Sequence, residues 1–225
     1  MTIYRLIEDL IFPAPDDAEP DGLLAVGGDL STRRLLLAYS MGIFPWYADG
    51  QPILWWSPDP RLVLELKEFH ISRRLRQTLR RGTFQVTFDQ DFGGVIRACA
   101  AVERPGQDGT WITAAMEQAY IELHELGFAH SVESWIEDEL VGGIYGVSLG
   151  RAFFGESMFS RASNASKVAL ATLVERLSAW DFHFLDAQVT TPHMLSLGAK
   201  EISRSMFLAN LEQALQPSTR RGSWG

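Results

Sequence analysis

Seven of the ten prolines in this 225-residue chain, Pro13, Pro15, Pro20, Pro45, Pro52, Pro58 and Pro60, fall between Phe12 and Arg61. Proline restricts φ and gives up its backbone N–H, so a segment this rich in it cannot be built from long helices or central strands. The opening sixty residues are therefore expected as turns and short extended pieces. One helix fits among them, with Ser31 as N-cap, Leu35, Leu36 and Leu37 inside it, and Gly42 after its end. Trp46, Trp55 and Trp56 crowd the remainder. They either staple a small loop-rich core or offer a stacking platform.

From Leu62 the pattern changes to alternating strand and helix. Leu62, Leu64 and Leu66 alternate as in a strand, and so do Phe84, Val86 and Phe88. A helix is expected over Thr113–Leu126 with Gly127 as its terminator, then a strand pair turning around Glu137-Asp138. Another helix is expected over Ala165–Trp180 with Asn164 or Ser163 as N-cap, then a strand from Phe182 that ends Leu185-Asp186-Ala187-Gln188. A shorter helix near Pro192 and a last one capped by Ser203 follow. The order predicts an α/β (α+β) fold: a mixed sheet packed by helices over residues 62–225, beside a small proline- and tryptophan-rich domain over residues 1–61. The tail from Gln216 is expected to be disordered.

A hydrophobic content of 46% is enough for a substantial core. The lone Cys99 excludes an intramolecular disulfide and fits a reducing compartment. With no charged leader before an apolar stretch and no long apolar run, the expected location is the cytoplasm. A net charge of −8 argues against indiscriminate nucleic-acid binding and leaves room only for a local site. No His, Cys or carboxylate spacing resembles a metal site, no phosphate-binding P-loop is present, and no cofactor is expected.

Polar groups with chemical potential concentrate between Val141 and Gln188. Glu156 stands alone inside Phe153-Phe154-Gly155-Glu156-Ser157-Met158-Phe159, where an isolated carboxylate among apolar neighbours needs a partner or a substrate. In a strand, residues two apart share a face, so Asp186 and Gln188 are expected to point the same way. They are either a cooperating carboxylate and amide or the polar end of an ordinary strand.

The basic residues gather between Ser72 and Gly82. At about 100° per residue, Ile71, Leu75 and Leu79 fall in one arc and Arg73, Arg74, Arg76, Arg80 and Arg81 spread over the opposite side. These arginines have no acidic neighbour to pair with, whereas a merely solvated face mixes signs. Phosphate contact is the favoured reading, since the guanidinium fork matches phosphate oxygens.

Several long, ordered strings carry a family resemblance: Gly22-Leu23-Leu24-Ala25-Val26-Gly27-Gly28-Asp29-Leu30, Gly42-Ile43-Phe44-Pro45-Trp46, Trp55-Trp56-Ser57-Pro58-Asp59-Pro60-Arg61, Gly109-Thr110-Trp111-Ile112, Gly155-Glu156-Ser157-Met158-Phe159-Ser160 and Asp186-Ala187-Gln188. Over nearly its whole length the chain resembles the bacterial leucyl/phenylalanyl-tRNA protein transferase family. The resemblance implies a small N-terminal domain and a C-terminal domain like the acyltransferase fold of the GNAT superfamily. It implies an enzyme that moves Leu or Phe from aminoacyl-tRNA to proteins beginning with Arg or Lys, marking them for degradation under the N-end rule. It further implies an aminoacyl pocket walled by Ile144, Phe153, Met158, Leu170, Leu173 and Leu185, contact of Trp46 and Trp111 with the 3′-terminal adenosine, and acceptor-stem phosphates held by Arg73, Arg74, Arg76, Arg80 and Arg81.

An aminoacyl ester is already activated, so the remaining needs are a positioned, deprotonated amine and a proton for the departing 3′ oxygen. Guided by the resemblance, Gln188 is expected to hold the attacking amine, Asp186 to polarise that amide and balance charge, and Glu156 to hold the acceptor's N-terminal residue or orient the network. The alternative is that a ribose hydroxyl of the substrate shuttles the proton and the protein supplies proximity. The chain departs from the family at Thr191, where Asn is common. Thr191 is expected to cap a helix beginning at Pro192 and to have no catalytic role, and His193 is expected to be a packed or solvent histidine.

Two rival functions are open to the same residues. An acetyl-CoA-dependent N-acetyltransferase would place its pyrophosphate at the turn Arg161-Ala162-Ser163-Asn164-Ala165-Ser166, which lacks the glycines that close backbone approach calls for. A non-catalytic tRNA-binding module would use the arginine helix and exposed tryptophans alone, leaving Glu156, Asp186 and Gln188 idle.

Overall fold

The computed structural model describes residues 3–102 and 110–225, so Gly109 lies outside the described residues. The proline-rich opening forms a small four-stranded sheet from β1 (Tyr4–Leu6), β2 (Leu23–Gly27), β3 (Phe44–Pro45) and β4 (Leu54–Trp56), in the order β1-β2-β4-β3. β1 and β2 are parallel and the other pairs antiparallel. Between β2 and β3 runs α1 (Thr32–Ser40), started by Ser31, whose hydroxyl accepts from the Arg34 N–H. Past its end Gly42 takes a φ of 73°, a left-handed conformation in which a side chain is strained.

The second sheet has seven strands: β5 (Arg61–Glu65), β6 (Gln85–Phe88), β7 (Ala129–Ile136), β8 (Glu139–Leu149), β9 (Ala152–Ser160), β10 (Phe184–Asp186) and β11 (Lys200–Ile202). Their order is β11-β5-β10-β9-β8-β7-β6, and only β9 and β10 run parallel. A parallel pair needs a long crossover, which α5 (Ala165–Ala179) supplies. The remaining helices are α2 (Arg73–Arg81), α3 (Phe92–Ala100), α4 (Ala114–Glu125), α6 (Pro192–Ser196) and α7 (Arg204–Ala214). The fold is thus mixed α/β, with two mixed sheets.

Both faces of the large sheet are covered, and alternate side chains divide between two cores. Phe154, Tyr145, Val63 and Phe184 join α3, α4, α7 and the small sheet on one side. Phe153, Ile144, Leu62, Leu64 and Leu185 pack beneath α5 on the other. Glycines in β8 permit close approach: a Cβ on Gly142 would lie 2.5 Å from the Ala165 Cβ, and one on Gly146 would lie 2.2 Å from the Phe154 carbonyl oxygen.

Several expectations need correction. The tail is ordered: Trp224 is only 4% exposed and stacks on His130, its ring centroid 3.8 Å away. Its N–H donates to Asp89 Oδ2 at 2.7 Å, and Arg176 Nη1 donates to its carbonyl at 2.8 Å. A polar-looking terminus thus hid one large apolar anchor. Asn164 does occupy the N-cap of α5 but makes no side-chain cap, because it takes φ 72° and its amide instead donates to Thr78 Oγ1. Leu66 lies in the 3-10 turn after β5, Phe84 precedes β6, and β10 is confined to Phe184–Asp186.

Candidate active site

The centre of the site follows from a mismatch in strand pairing. β9 pairs with β8 in register until Gly146 opposite Gly155 and Tyr145 opposite Ser157, which leaves Glu156 as the extra residue of a β-bulge. A bulge bends its strand and re-aims a side chain. The β10 partnership ends there too: Asp186 pairs with Phe154, and no residue of β10 pairs with β9 beyond it. The two parallel strands part at that point. Into the gap opens a cavity of about 490 Å³, whose apolar lining comes from Ile144, Gly155, Met158 and Leu185, from Phe44, Pro45, Trp46 and Trp111, and from Ala187, Val189 and Met194. Its polar lining is Glu156, Ser157, Gln188, Thr191 and His193.

Glu156, half-buried, is the hub of this polar set. Its Oε1 accepts from Tyr39 Oη at 2.7 Å and from Gln188 Nε2 at 3.0 Å, and its Oε2 accepts from Tyr120 Oη at 3.2 Å. The two phenol oxygens are also in hydrogen-bond contact with each other. Burial pushes the Glu156 carboxyl up to about 7, aided by the nearby Asp186 charge and opposed by the tyrosine hydrogen bonds and Arg61. Burial likewise holds both phenols well above their ordinary value.

Asp186 is placed otherwise than the strand alternation implied. Gln188 follows the end of β10 with φ 53°, so period-two alternation does not reach it. The Asp186 carboxylate is held by Arg61, Nε to Oδ1 at 2.9 Å and Nη2 to Oδ2 at 2.6 Å, and its Oδ1 also accepts the Gln188 main-chain N–H at 3.0 Å. The side-chain amide of Gln188 goes to Glu156 instead. Asp186 thus fixes the backbone that presents Gln188, and Gln188 and Glu156 reach the cavity.

Of the six predicted pocket residues, Ile144, Met158 and Leu185 line the cavity. Phe153, Leu170 and Leu173 sit fully buried in the core beneath it, which Ile144 and Leu185 share. Trp46 and Trp111 both line it. Thr191 caps α6, its hydroxyl accepting from the Met194 N–H, and His193 lies exposed at the rim, where desolvation and Lys167 lower its pKa. The five arginines of α2 are all exposed on a helix capped by Ser72 and closed by left-handed Gly82.

Comparison with known proteins identifies the family. A family model described as leucyl/phenylalanyl-tRNA protein transferase matches residues 63–212, and one for the N-terminal domain of the same proteins matches residues 28–59. The chain belongs to the leucyl/phenylalanyl-tRNA protein transferase family. Proteins named leucyl/phenylalanyl-tRNA–protein transferase from Anaeromyxobacter sp. (strain Fw109-5) and Desulfatibacillum aliphaticivorans are each 59% identical over 224 residues, covering 100% of this chain and 95% and 96% of their own. One from Syntrophotalea carbinolica is 60% identical over 220 residues, covering 97% of this chain and 96% of its own. Membership makes this chain an aminoacyltransferase.

Three polar residues of this candidate site carry no functional signal in their local spacing. Tyr39 and Tyr120 lie on the buried faces of α1 and α4, where spacing alone reads as packing. The available signal was the hydroxyl, since a buried tyrosine needs a hydrogen-bond partner. Arg61 closes the string that begins at Trp55. An arginine opening a strand whose next three residues are apolar calls for a buried anion.

Proposed function

We propose that the cavity between β9 and β10 receives the leucyl or phenylalanyl group of an aminoacyl-tRNA, and that Glu156 and Gln188 meet the N-terminal residue of a protein beginning with Arg or Lys. Reaction joins the amino acid to that protein's α-amine and creates a degradation signal. The observation that carries this reading is the Glu156–Gln188 pair, 3.0 Å apart, at one side of an otherwise largely apolar cavity. Ile144, Met158 and Leu185 offer the donor side chain no polar partner, so size and shape do the selecting. Phe153, Leu170 and Leu173 set the shape of that wall from behind.

Trp46 and Trp111 stack on the 3′-terminal adenosine, an interaction that contributes about 1–3 kcal/mol per base. Arg73, Arg74, Arg76, Arg80 and Arg81 hold acceptor-stem phosphates and read shape more than sequence. Asp186, neutralised by Arg61, acts through the backbone of Gln188 and not through its amide. The parting parallel pair supports a GNAT-like acyltransferase fold for residues 62–225, since ligands favour the crevice at the carboxyl ends of parallel strands. Residues 1–61 form the smaller domain that brings Trp46 to the cavity. No helix among the described residues is long and apolar enough to cross a membrane, and the cytoplasm, where charged tRNA is found, is the proposed location.

The test is incubation of the purified protein with radiolabelled Leu-tRNA and matched peptides beginning with Arg, Lys or Asp, without ATP or acetyl-CoA. Label on the Arg and Lys peptides alone supports this reading. Tight tRNA binding with no label on any peptide contradicts it and leaves a binding module.

A further inference from the structure

Tyr39, Tyr120 and Glu156 form a closed ring of three hydrogen-bonded groups, and its hydrogens can be counted. Tyr39 reaches Glu156 Oε1, Tyr120 reaches Oε2, and the phenols touch each other. Each phenol carries one hydrogen and an ionised carboxylate carries none. With Glu156 ionised, two hydrogens serve three contacts and one contact sets lone pair against lone pair. A proton on Glu156 supplies the third, so that every member donates once and accepts once around the ring. Both tyrosines are 0% exposed, so bulk water does not mend the broken link.

The surrounding charges leave Glu156 as the group that answers to protons inside the cavity. Asp186 and Arg61, the nearest charges behind it, are locked to each other. Tyr47, which also acts on Tyr120, has its hydroxyl in hydrogen-bond contact with that of Thr113. His193 is the other titratable group lining the cavity, at its exposed rim.

We propose that Glu156 is the proton acceptor for the α-ammonium group of the incoming protein, and that Tyr39 and Tyr120 are positioning residues that set its basicity through the ring. This rests on the transferase reading above. An N–H bond of the ammonium breaks, its electron pair stays on nitrogen, and an O–H bond forms on Glu156. The neutral amine attacks the ester carbonyl, a C–N bond forms, the ester C–O bond breaks, and the second amine proton goes to the departing 3′ oxygen. Glu156 then returns its proton to solvent through the cavity mouth. A free α-amine has a reference pKa of about 8, near enough for exchange with a carboxyl raised to about 7.

Tyr39→Phe and Tyr120→Phe test this by the sign of a shift. A tyrosine that merely donates to a carboxylate stabilises the anion, and its removal raises the carboxyl pKa. Taken singly, each phenol bond favours the anion. In the closed ring, losing one phenol costs the ionised form one charge-assisted bond but also relieves its lone-pair contact, while the acid form loses two bonds, so the pKa falls. The readout is an infrared pH titration of the intact protein, following the carboxylic C=O band that Glu156→Gln removes; it needs no tRNA. A downward shift in both variants, matched by a downward shift in the acidic limb of kcat/KM for an Arg-initiated peptide, supports the proposal. An upward or absent infrared shift overturns the ring whether or not transfer occurs. A downward infrared shift in both variants, with a wild-type protein that transfers nothing, overturns the transferase reading and the acceptor role of Glu156 with it.

Discussion

Arg61 and Asp186 meet in a two-pronged ion pair with almost no exposure on either side, their oxygens and nitrogens 2.9 and 2.6 Å apart. Arg61 also donates to the Gly42 carbonyl and lies over the rings of Phe44 and Phe207. One residue thereby ties the end of α1, the small sheet and α7 to the strand that carries Asp186.

Removing only the cation leaves a buried carboxylate uncompensated. Arg61→Met is expected to cost about 3–5 kcal/mol of stability. Urea denaturation measures it, and a midpoint equal to that of the wild type would contradict the pairing described.

The ordered tail predicts a second loss. Trp224→Ala removes a ring that stacks on His130 and packs against Phe153, Trp180 and Phe182. The expected cost is about 3–5 kcal/mol, whereas the exposed neighbour Ser223→Ala stays within about 0.5 kcal/mol of the wild type. Thermal or chemical unfolding separates the two.

Glu156 predicts a pH signature in stability. Its folded-state pKa of about 7 lies above the ordinary 4.5, so between those values the folded protein binds the extra proton and the unfolded chain does not. Stability from this group is therefore present at low pH and declines as pH rises from about 4.5 to about 7. Glu156→Gln mimics the protonated acid, so the variant gains on the wild type across that window and holds its advantage above it. Parallel stability curves for the two proteins would contradict the shift.

The arginine helix predicts a salt dependence. Replacing Arg76 and Arg80 with Ala is expected to reduce the slope of log K against log salt for Leu-tRNA by about one for each phosphate no longer held. Filter binding at a series of salt concentrations reports the slope, and an unchanged slope places the tRNA elsewhere.

What could be read in advance, and what could not, follows from the range of the interactions. The caps at Ser31, Thr191 and Ser203 act over three residues, and each was visible as a local pattern. Glu156 stood out because its neighbours are apolar. The bulge that aims it depends on how β8 and β9 pair, which no local spacing encodes. Pairing across the fold also decided Asp186, which shares its ion pair with a residue 125 positions away. Trp224 was missed because a single aromatic after a polar run resembles a frayed end until the groove beneath it is known.

The most direct test of the central claim, that the cavity between β9 and β10 holds the donor amino acid, is single-turnover transfer from Leu-tRNA by a Met158→Trp variant. Met158 lines the cavity and is only half-buried, so the larger ring takes the space meant for the leucyl side chain and leaves the core in place. Loss of transfer with tRNA affinity and unfolding midpoint retained is the predicted result. Transfer of leucine at the wild-type rate would contradict it and move the aminoacyl site away from this cavity.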